Sequence, residues 1–226
     1  EKQQLPGRLS PQGVTIGAGA RISMVHINMA QGTLRMTDNP YDLAIEGDAL
    51  FEIGIRTVDE DGNVTFNPGW TRNGAFRVSL MPDDPDNHML TTNDGSPVYG
   101  QDDEPIMIPS GRAFSVDAQG NVLVESADDP NVQELIGTVK LVRATRPQLL
   151  QTRGDNLFVL PPQFADEEQR NILMQQIDLT LYEDGQAPVR IRQGALEGSN
   201  VDLPSEMSEL IQVQRAFQLN ARALTS

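Results

Sequence analysis

The sequence predicts a mainly β protein, an antiparallel β-rich domain followed by a C-terminal α-helix. Three observations carry this. Between residues 21 and 196, short apolar runs alternate with turn dipeptides, among them Asp61-Gly62, Asn73-Gly74, Asp94-Gly95, Gln119-Gly120 and Asp184-Gly185, the pattern left by successive β-hairpins. Before residue 200 only Ala165 to Gln176 shows a helical pattern. From Leu203 onward, Leu203, Met207, Leu210, Phe217, Ala221 and Leu224 recur at steps of four and three, with Gln214 alone breaking the seam, so one apolar stripe runs along a helix.

Taken in order, residues 1–25 read as an extended linker, because Pro6, Pro11, Gly7, Gly13, Gly17 and Gly19 punctuate a stretch with little apolar period. The β-rich part spans 26–196. Its strand-like runs begin with ISMVHINM and DLAIEGDALFEIGI. They continue through VTFN, WTRNGAFRVSL, HMLTT and SPVYG, then PIMIPS, AFSVD, GNVLVES, ELIGTVKLVRA, NLFVL and QIDLTLYE. Three acidic runs, Asp59-Glu60-Asp61, Asp83-Asp84-Pro85-Asp86 and Asp102-Asp103-Glu104, read as solvated loop tips that keep strand edges from pairing promiscuously.

The terminal helix occupies 197–226. Asp202 and Ser205 are N-cap residues, Pro204 suits a first turn, and Glu206 and Glu209 favour the positive end of the helix dipole. The start is therefore expected between Asp202 and Ser205. No Gly or Asn cap follows Leu224 and the first residue is Glu1, so a longer natural chain is expected at both ends. Exposed side-chain pairs stabilise such a helix by only about 0.2–0.5 kcal/mol each, whereas burying one Leu or Phe contributes roughly 1.5–3 kcal/mol. Packing of the stripe therefore decides whether the helix forms. The plain expectation is a terminal helix lying on its own domain.

Composition removes several classes of function. With no cysteine, neither disulfides nor thiolate metal sites are available. A net charge of −15 would repel nucleic acid phosphates and anionic lipid, and no run of about 18 apolar residues suggests a membrane span. An EF-hand reading of Asp59, Asp61 and Asn63 fails, since Val64 stands where Gly is needed and Trp70 where a bidentate Glu is needed. Loose calcium binding on Asp83 to Asp86 stays open. His26 and His88 are the only histidines and have no partner at zinc-ligand spacing; both are expected on strands. No G-x-S-x-G elbow is present, and Gly17-Ala18-Gly19 lacks the third glycine of a dinucleotide loop. Carboxylate pairs for hydrolysis stay open because their spacing is three-dimensional, although Trp70 is the one Trp available for sugar stacking. No catalytic residue, cofactor, metal or small-molecule substrate is assigned.

A family resemblance rests on three ordered motifs. Gln31 to Ile53, QGTLRMTDNPYDLAIEGDALFEI, resembles the first motif of the bacterial flagellar axial proteins, the rod and hook subunits, with Asn39, Asp42, Leu43, Ala44, Ile45 and Gly47 at its marked positions. WTRNGAFRV is similar to their second motif through Trp70, Thr71, Arg72, Gly74 and Phe76, and LTTNDGSPVYG to the segment that follows it. EGSNVDLPSEMSELIQVQRAFQLNARAL resembles their carboxy-terminal helix, and GVTIGAGARI the linker of the rod subunits. The chain departs from the pattern at Ala49-Leu50, where Gly and Phe are usual, and in the acidic insertion between Phe76 and Leu90.

The resemblance implies a structural, non-catalytic subunit of the flagellar basal-body rod, most like its distal subunit. It would be exported through the flagellum's own channel, extracytoplasmic, and would transmit torque. Its partners would be copies of itself and other rod or hook subunits, with no nucleic acid, membrane segment or small substrate. Terminal helices would pair into a tube inside an outer β wall, the family's N-terminal helix being absent from this chain. Leu203, Met207, Leu210, Ile211, Val213, Phe217 and Leu224 would carry the helix packing, each copy sheltering the next in a contact that does not close on itself. The alternatives are a hook or hook-basal-body subunit of the same family, and a secreted β-rich module that binds carbohydrate or cell wall.

Overall fold

The computed structural model describes residues 28–225 apart from 59–61, 63, 82–83, 127–128, 130–131, 155, 165 and 183–186, with the backbone alone at Thr180, Leu224 and Thr225. The predicted linker and His26 therefore lie outside the described residues, as do the acidic run 59–61 and the Asp184-Gly185 turn.

The chain forms β1 (Leu34–Met36), β2 (Leu43–Glu46), β3 (Leu50–Val58), β4 (Val64–Thr71), β5 (Phe76–Met81), β6 (Asp84–Thr92), β7 (Met107–Pro109) and β8 (Phe114–Val116). There follow β9 (Asn121–Glu125), β10 (Gln133–Thr138), β11 (Leu141–Ala144), β12 (Gln151–Thr152), β13 (Leu157–Val159), helix α1 (Glu167–Leu173), β14 (Met174–Ile177), β15 (Arg190–Gln193), β16 (Ala195–Glu197) and helix α2 (Leu203–Thr225). A six-stranded sheet in the order β12-β13-β4-β3-β11-β14 is the central layer, accompanied by two three-stranded sheets, β10-β9-β8 and β5-β6-β7, and the pairs β1-β16 and β15-β2. Every pairing is antiparallel. Mainly β with a C-terminal helix is thus the fold the sequence predicts.

The central sheet is covered on both faces, which is why β3 reads as a nearly continuous apolar run and not as an alternating one. Side chains on successive residues point to opposite faces. Phe51 and Ile53, with Leu141 opposite Phe51, enter the larger core alongside Leu43, Ile45, Phe76, Leu90 and Val139. Leu50, Trp70 and Val142 enter a smaller core with Leu150, Leu173 and Met174. Phe51 and Phe76 meet edge to face, with ring centres 5.0 Å apart.

Several local expectations hold. Gly62, Gly95 and Gly120 have φ of +85°, +80° and +86° in their turns, α2 starts at Leu203 with the Asp202 carbonyl accepting from Glu206 N–H at 3.1 Å, and His88 lies on β6.

Others are corrected. Asn73-Gly74 does not turn a hairpin: β4 pairs with β3, and β5 with β6. Gly74 is instead required by a close approach, since a Cβ there would lie 1.6 Å from the carbonyl oxygen of Leu43, while the Gly74 carbonyl accepts from Leu43 N–H at 3.0 Å. Asp84 to Asp86 open β6 and do not form a loop tip. VTFN continues through Pro68 into Trp70 as one strand, where Pro68 is tolerated because β13 reaches only Trp70 and Thr71 on that edge. QIDLTLYE gives a strand only to Ile177, then a 3-10 turn at Leu179–Leu181. Ala165 to Gln176 splits into α1 and the start of β14. Of the run 22–29, only Asn28 and Met29 are described and neither is in a strand. The largest correction concerns α2, whose residues from Leu203 to Ala223 are all exposed, so the helix does not lie on its own domain.

Replacing Gly74 with Ala is expected to cost about 1–3 kcal/mol through the enforced backbone shift. The check is the urea midpoint, which should fall without a change in slope.

Candidate functional site

The motif residues fall in a turn that feeds the core, two polar clusters and one bare helix. In the first motif, the Asn39 side-chain amide donates to the Asp42 carboxylate at 3.0 Å, and the Asn39 carbonyl accepts from Asp42 N–H at 3.1 Å. This turn delivers Leu43, Ala44 and Ile45 into the core as β2, paired with β15. Gly47 ends the strand with φ +112°, and a Cβ there would lie 2.6 Å from the Pro188 carbonyl oxygen, so the position excludes a side chain.

The second motif supplies a clasp. Arg72 donates through Nη2 to the Gly47 carbonyl at 2.8 Å, through Nη1 to the Ala49 carbonyl at 3.1 Å and through Nε to Glu197 Oε2 at 2.6 Å. The other oxygen of Glu197 accepts from Gly32 N–H at 2.6 Å. Gln31 donates to the Ile45 carbonyl and accepts from Gly47 N–H, at 2.7 and 2.8 Å. Asn200 donates to the carbonyls of Asn28 and Ala30 at 3.1 and 2.7 Å. All three nitrogens of Arg72 and both carboxylate oxygens of Glu197 are thereby engaged, which offsets the desolvation of a largely buried pair. The clasp binds residues 28–36 to 195–200, so the strand pair β1-β16 and the root of α2 share one anchor. A 280 Å³ groove runs beside it, lined by Asn28, Met29, Asn73, Asn156, Phe158 and Ser199 among others.

Trp70 belongs to the second cluster. Its Nε1–H donates to Glu52 Oε2 at 3.1 Å, and Lys140 Nζ donates to Glu52 Oε1 at 3.0 Å and to Asp103. Glu52 and Lys140 are buried. Asp102, Asp103 and Glu104 are exposed in a loop, as expected, and Asp103 serves in addition as a partner for a buried cation. Burial works against the Lys140 ammonium, but the hydrogen bond to Asp103 and the charge of Glu52 outweigh it and hold the pKa above the ordinary lysine value. Tyr99 is pushed upward by burial first, then by Glu52 and Asp103. Both oxygens of Glu52 are committed, so it presents no free carboxylate to the 170 Å³ cavity that it lines with Asp103, Lys140 and Glu167. Among the described residues no group of three or more His, Asp or Glu is placed to hold a metal ion, and no helix is long and apolar enough to cross a membrane.

Along α2, Leu203, Met207, Leu210, Ile211, Val213 and Phe217 are all exposed, Phe217 at 73% and Met207 at 58%; the Leu224 side chain lies outside the described residues. The structure brings the two motifs together at Arg72 and Gly74, and keeps α2 apart from both. Sequence reasoning missed Glu52 and Lys140 as a pair. Their signal was available: each is a lone charge inside an apolar strand run, LFEIGI and GTVKLV, where burial demands a partner.

Comparison with known proteins follows this geometry. A family model described as "Flagellar basal body rod FlgEFG protein C-terminal" matches residues 192–226. The chain is 30% identical over 200 residues to the flagellar basal-body rod protein FlgF of Escherichia coli (strain K12), covering 88% of this chain and 68% of that protein. It is 29% identical over 219 residues to the flagellar hook-basal body complex protein FlhP of Bacillus subtilis (strain 168), covering 96% and 72%. Against the flagellar basal-body rod protein FlgG of Borreliella burgdorferi it is 28% identical over 219 residues, covering 96% and 71%.

Replacing Lys140 with Met leaves Glu52 charged and uncompensated, with an expected cost of about 3–5 kcal/mol; adding Glu52→Gln should recover part of it. Because the folded pKa of Lys140 is raised, its contribution is complete below the ordinary value of 10.5 and is lost as pH rises through the folded value. Urea midpoints of the wild type should therefore fall in strongly alkaline solution, and those of the double variant should fall less.

Proposed function

The chain belongs to the family of flagellar basal-body rod proteins, and we propose that it is a structural subunit of the rod that assembles through α2. The observation that carries this is the bare apolar stripe. A helix of 23 residues exposing Leu203, Met207, Leu210, Ile211, Val213, Phe217 and Leu219 gains too little from its own propensity to stand alone in water. Copies of the same chain, and other rod or hook subunits, supply the missing burial, Leu224 continuing the seam. In this arrangement 26–196 forms the outer wall of the tube and 197–226 the assembly helix. The two flagellar motifs have a mechanical part: the Arg72 clasp, together with Asn39, Asp42 and Gly47, fixes the root of the helix to the wall, so load applied to one passes to the other.

Position in the basal body and export to the outside of the cytoplasm accompany this role, as does the carrying of torque. A catalytic centre, a cofactor and a small-molecule substrate do not belong to it. The relatives carry two rod names at nearly equal identity, so the proposal is made for the rod as a class. The hook-basal body name of the Bacillus relative favours, as the second reading, a subunit nearer the hook.

The test is the double replacement of Leu210 and Phe217 with Asp in the chromosomal copy. Loss of two buried apolar groups, roughly 3–6 kcal/mol, should raise the concentration needed for assembly about 100-fold or more and abolish motility, while the purified chain keeps its β-sheet circular dichroism. Normal rods built from the double variant would overturn the proposal.

A further inference from the structure

The apolar stripe of α2 falls into two matching halves. Leu203, Met207 and Leu210 are spaced by four and three, and beyond the break at Gln214 the same spacing begins again at Phe217 and Ala221. Phe217 stands fourteen residues after Leu203, and Ala221 fourteen after Met207. Fourteen residues are two heptads, a shift that keeps a stripe of this period in phase with itself. All five apolar side chains are exposed.

Charge is distributed unevenly around the same helix. At about 100° per residue, Asp202, Glu206 and Glu209 lie about 90° to one side of the stripe, while Arg215 and Arg222 lie about 110° to the other. The acids also occupy the first half and the arginines the second. Among the described residues Asp202, Glu206, Glu209 and Arg215 join no ion pair.

These positions discriminate between the ways two such helices can pair. In an antiparallel pair each flank meets the same flank of its partner, so the acids would face Val213 and Asn220, and the arginines Pro204 and Ile211. In a parallel pair opposite flanks meet, but without displacement the two charged sets lie at different heights. Displacement by roughly 20 Å removes that mismatch. Asp202 then comes level with Arg215 and Glu209 with Arg222, each thirteen residues apart, while Leu203 comes level with Phe217 and Met207 with Ala221. The difference of one residue, about 1.5 Å, is within the reach of an arginine side chain.

We propose that α2 packs parallel to α2 of a second copy displaced by two heptads, the acidic first half of one helix against the basic second half of the next. Each helix is then covered by two neighbours, one on each half. Gln214 falls at the junction between them, which accounts for the polar break in the seam. The contact is head to tail and repeats without closing. It rests on the reading that the chain assembles through α2, and adds to it the direction and register of the contact.

The chain has no cysteine, so introduced thiols report the register. Full-length chain carrying both Met207→Cys and Ala221→Cys, each at an exposed position, is assembled, mildly oxidised and run on a denaturing gel. Within one helix these positions lie about 21 Å apart, too far for a disulfide, so every link joins two copies. The displaced parallel contact should give a ladder of trimers and longer chains, while either single variant gives little dimer. Arg222→Glu should cut the ladder about threefold to tenfold, added salt should shorten it, and Glu209→Arg combined with Arg222→Glu should restore it. A product that stops at a doubly linked dimer, the mark of an antiparallel pair, would overturn the proposal. So would a dominant 207–207 link, the mark of undisplaced helices, or a charge exchange that restores nothing. Polymer that sediments normally without a 207–221 ladder would overturn this register alone, whereas a wild-type chain that forms no polymer would overturn the helix-based assembly with it.

Discussion

Five groups from four parts of the chain meet at the guanidinium of Arg72 and its carboxylate partner. Two carbonyls come from the turn after β2, Glu197 from the end of β16, the amide of Gly32 from the segment leading into β1, and Arg72 itself from the end of β4. A planar fork of five donors suits this task and an ammonium does not. Without the clasp, β1 and β16 would be a three-residue pair at the margin of the domain, too short to hold the root of α2 in place. With it, the places where the described chain enters and leaves the β part are one fixture, and the root of the helix is held by the same charge pair that closes the β part.

That fixture matters because, among the described residues, nothing covers the helix it aims. The β part has its own interior: two cores are separated by the central sheet, and the buried Glu52–Lys140 pair is satisfied by Trp70, Asp103 and each other. Along α2 the balance is reversed, since an apolar stripe exposed from Leu203 to Phe217 costs helix stability in water and gains it only on burial. On the proposed assembly, the chain completes one half of its structure by itself and leaves the other to association. Concentration and neighbours then control the second half by mass action.

The sequence revealed those features whose causes are local. Turn dipeptides at Gly62, Gly95 and Gly120, the cap region before Leu203 and the period of the terminal stripe each depend on a few adjacent residues, and each appears as expected. What escaped depends on distant partners. Asn73-Gly74 carries ordinary hairpin chemistry, yet Gly74 serves a backbone 31 positions earlier in the chain, at Leu43. β1, β15 and β16 were not expected, because LRM, RIRQ and ALE are too short to mark strands until β15 pairs with β2 and β1 with β16, each across more than 140 residues. Arg72 and Glu197 were visible as parts of two motifs but not as partners, being 125 residues apart. The stripe was legible as a stripe; which surface covers it is not written in its period, and the domain's own surface proved not to be the one.

The central claim is that α2 is sheltered by other subunits and not by its own domain. Amide hydrogen exchange, read by mass spectrometry on dilute chain and on assembled rods, addresses it most directly. The account predicts that peptides spanning 203–223 exchange rapidly in dilute solution, while those spanning Leu43 to Ile53 are protected, and that both are protected after assembly. Protection of 203–223 in dilute, monomeric chain equal to that of Leu43 to Ile53 would contradict it.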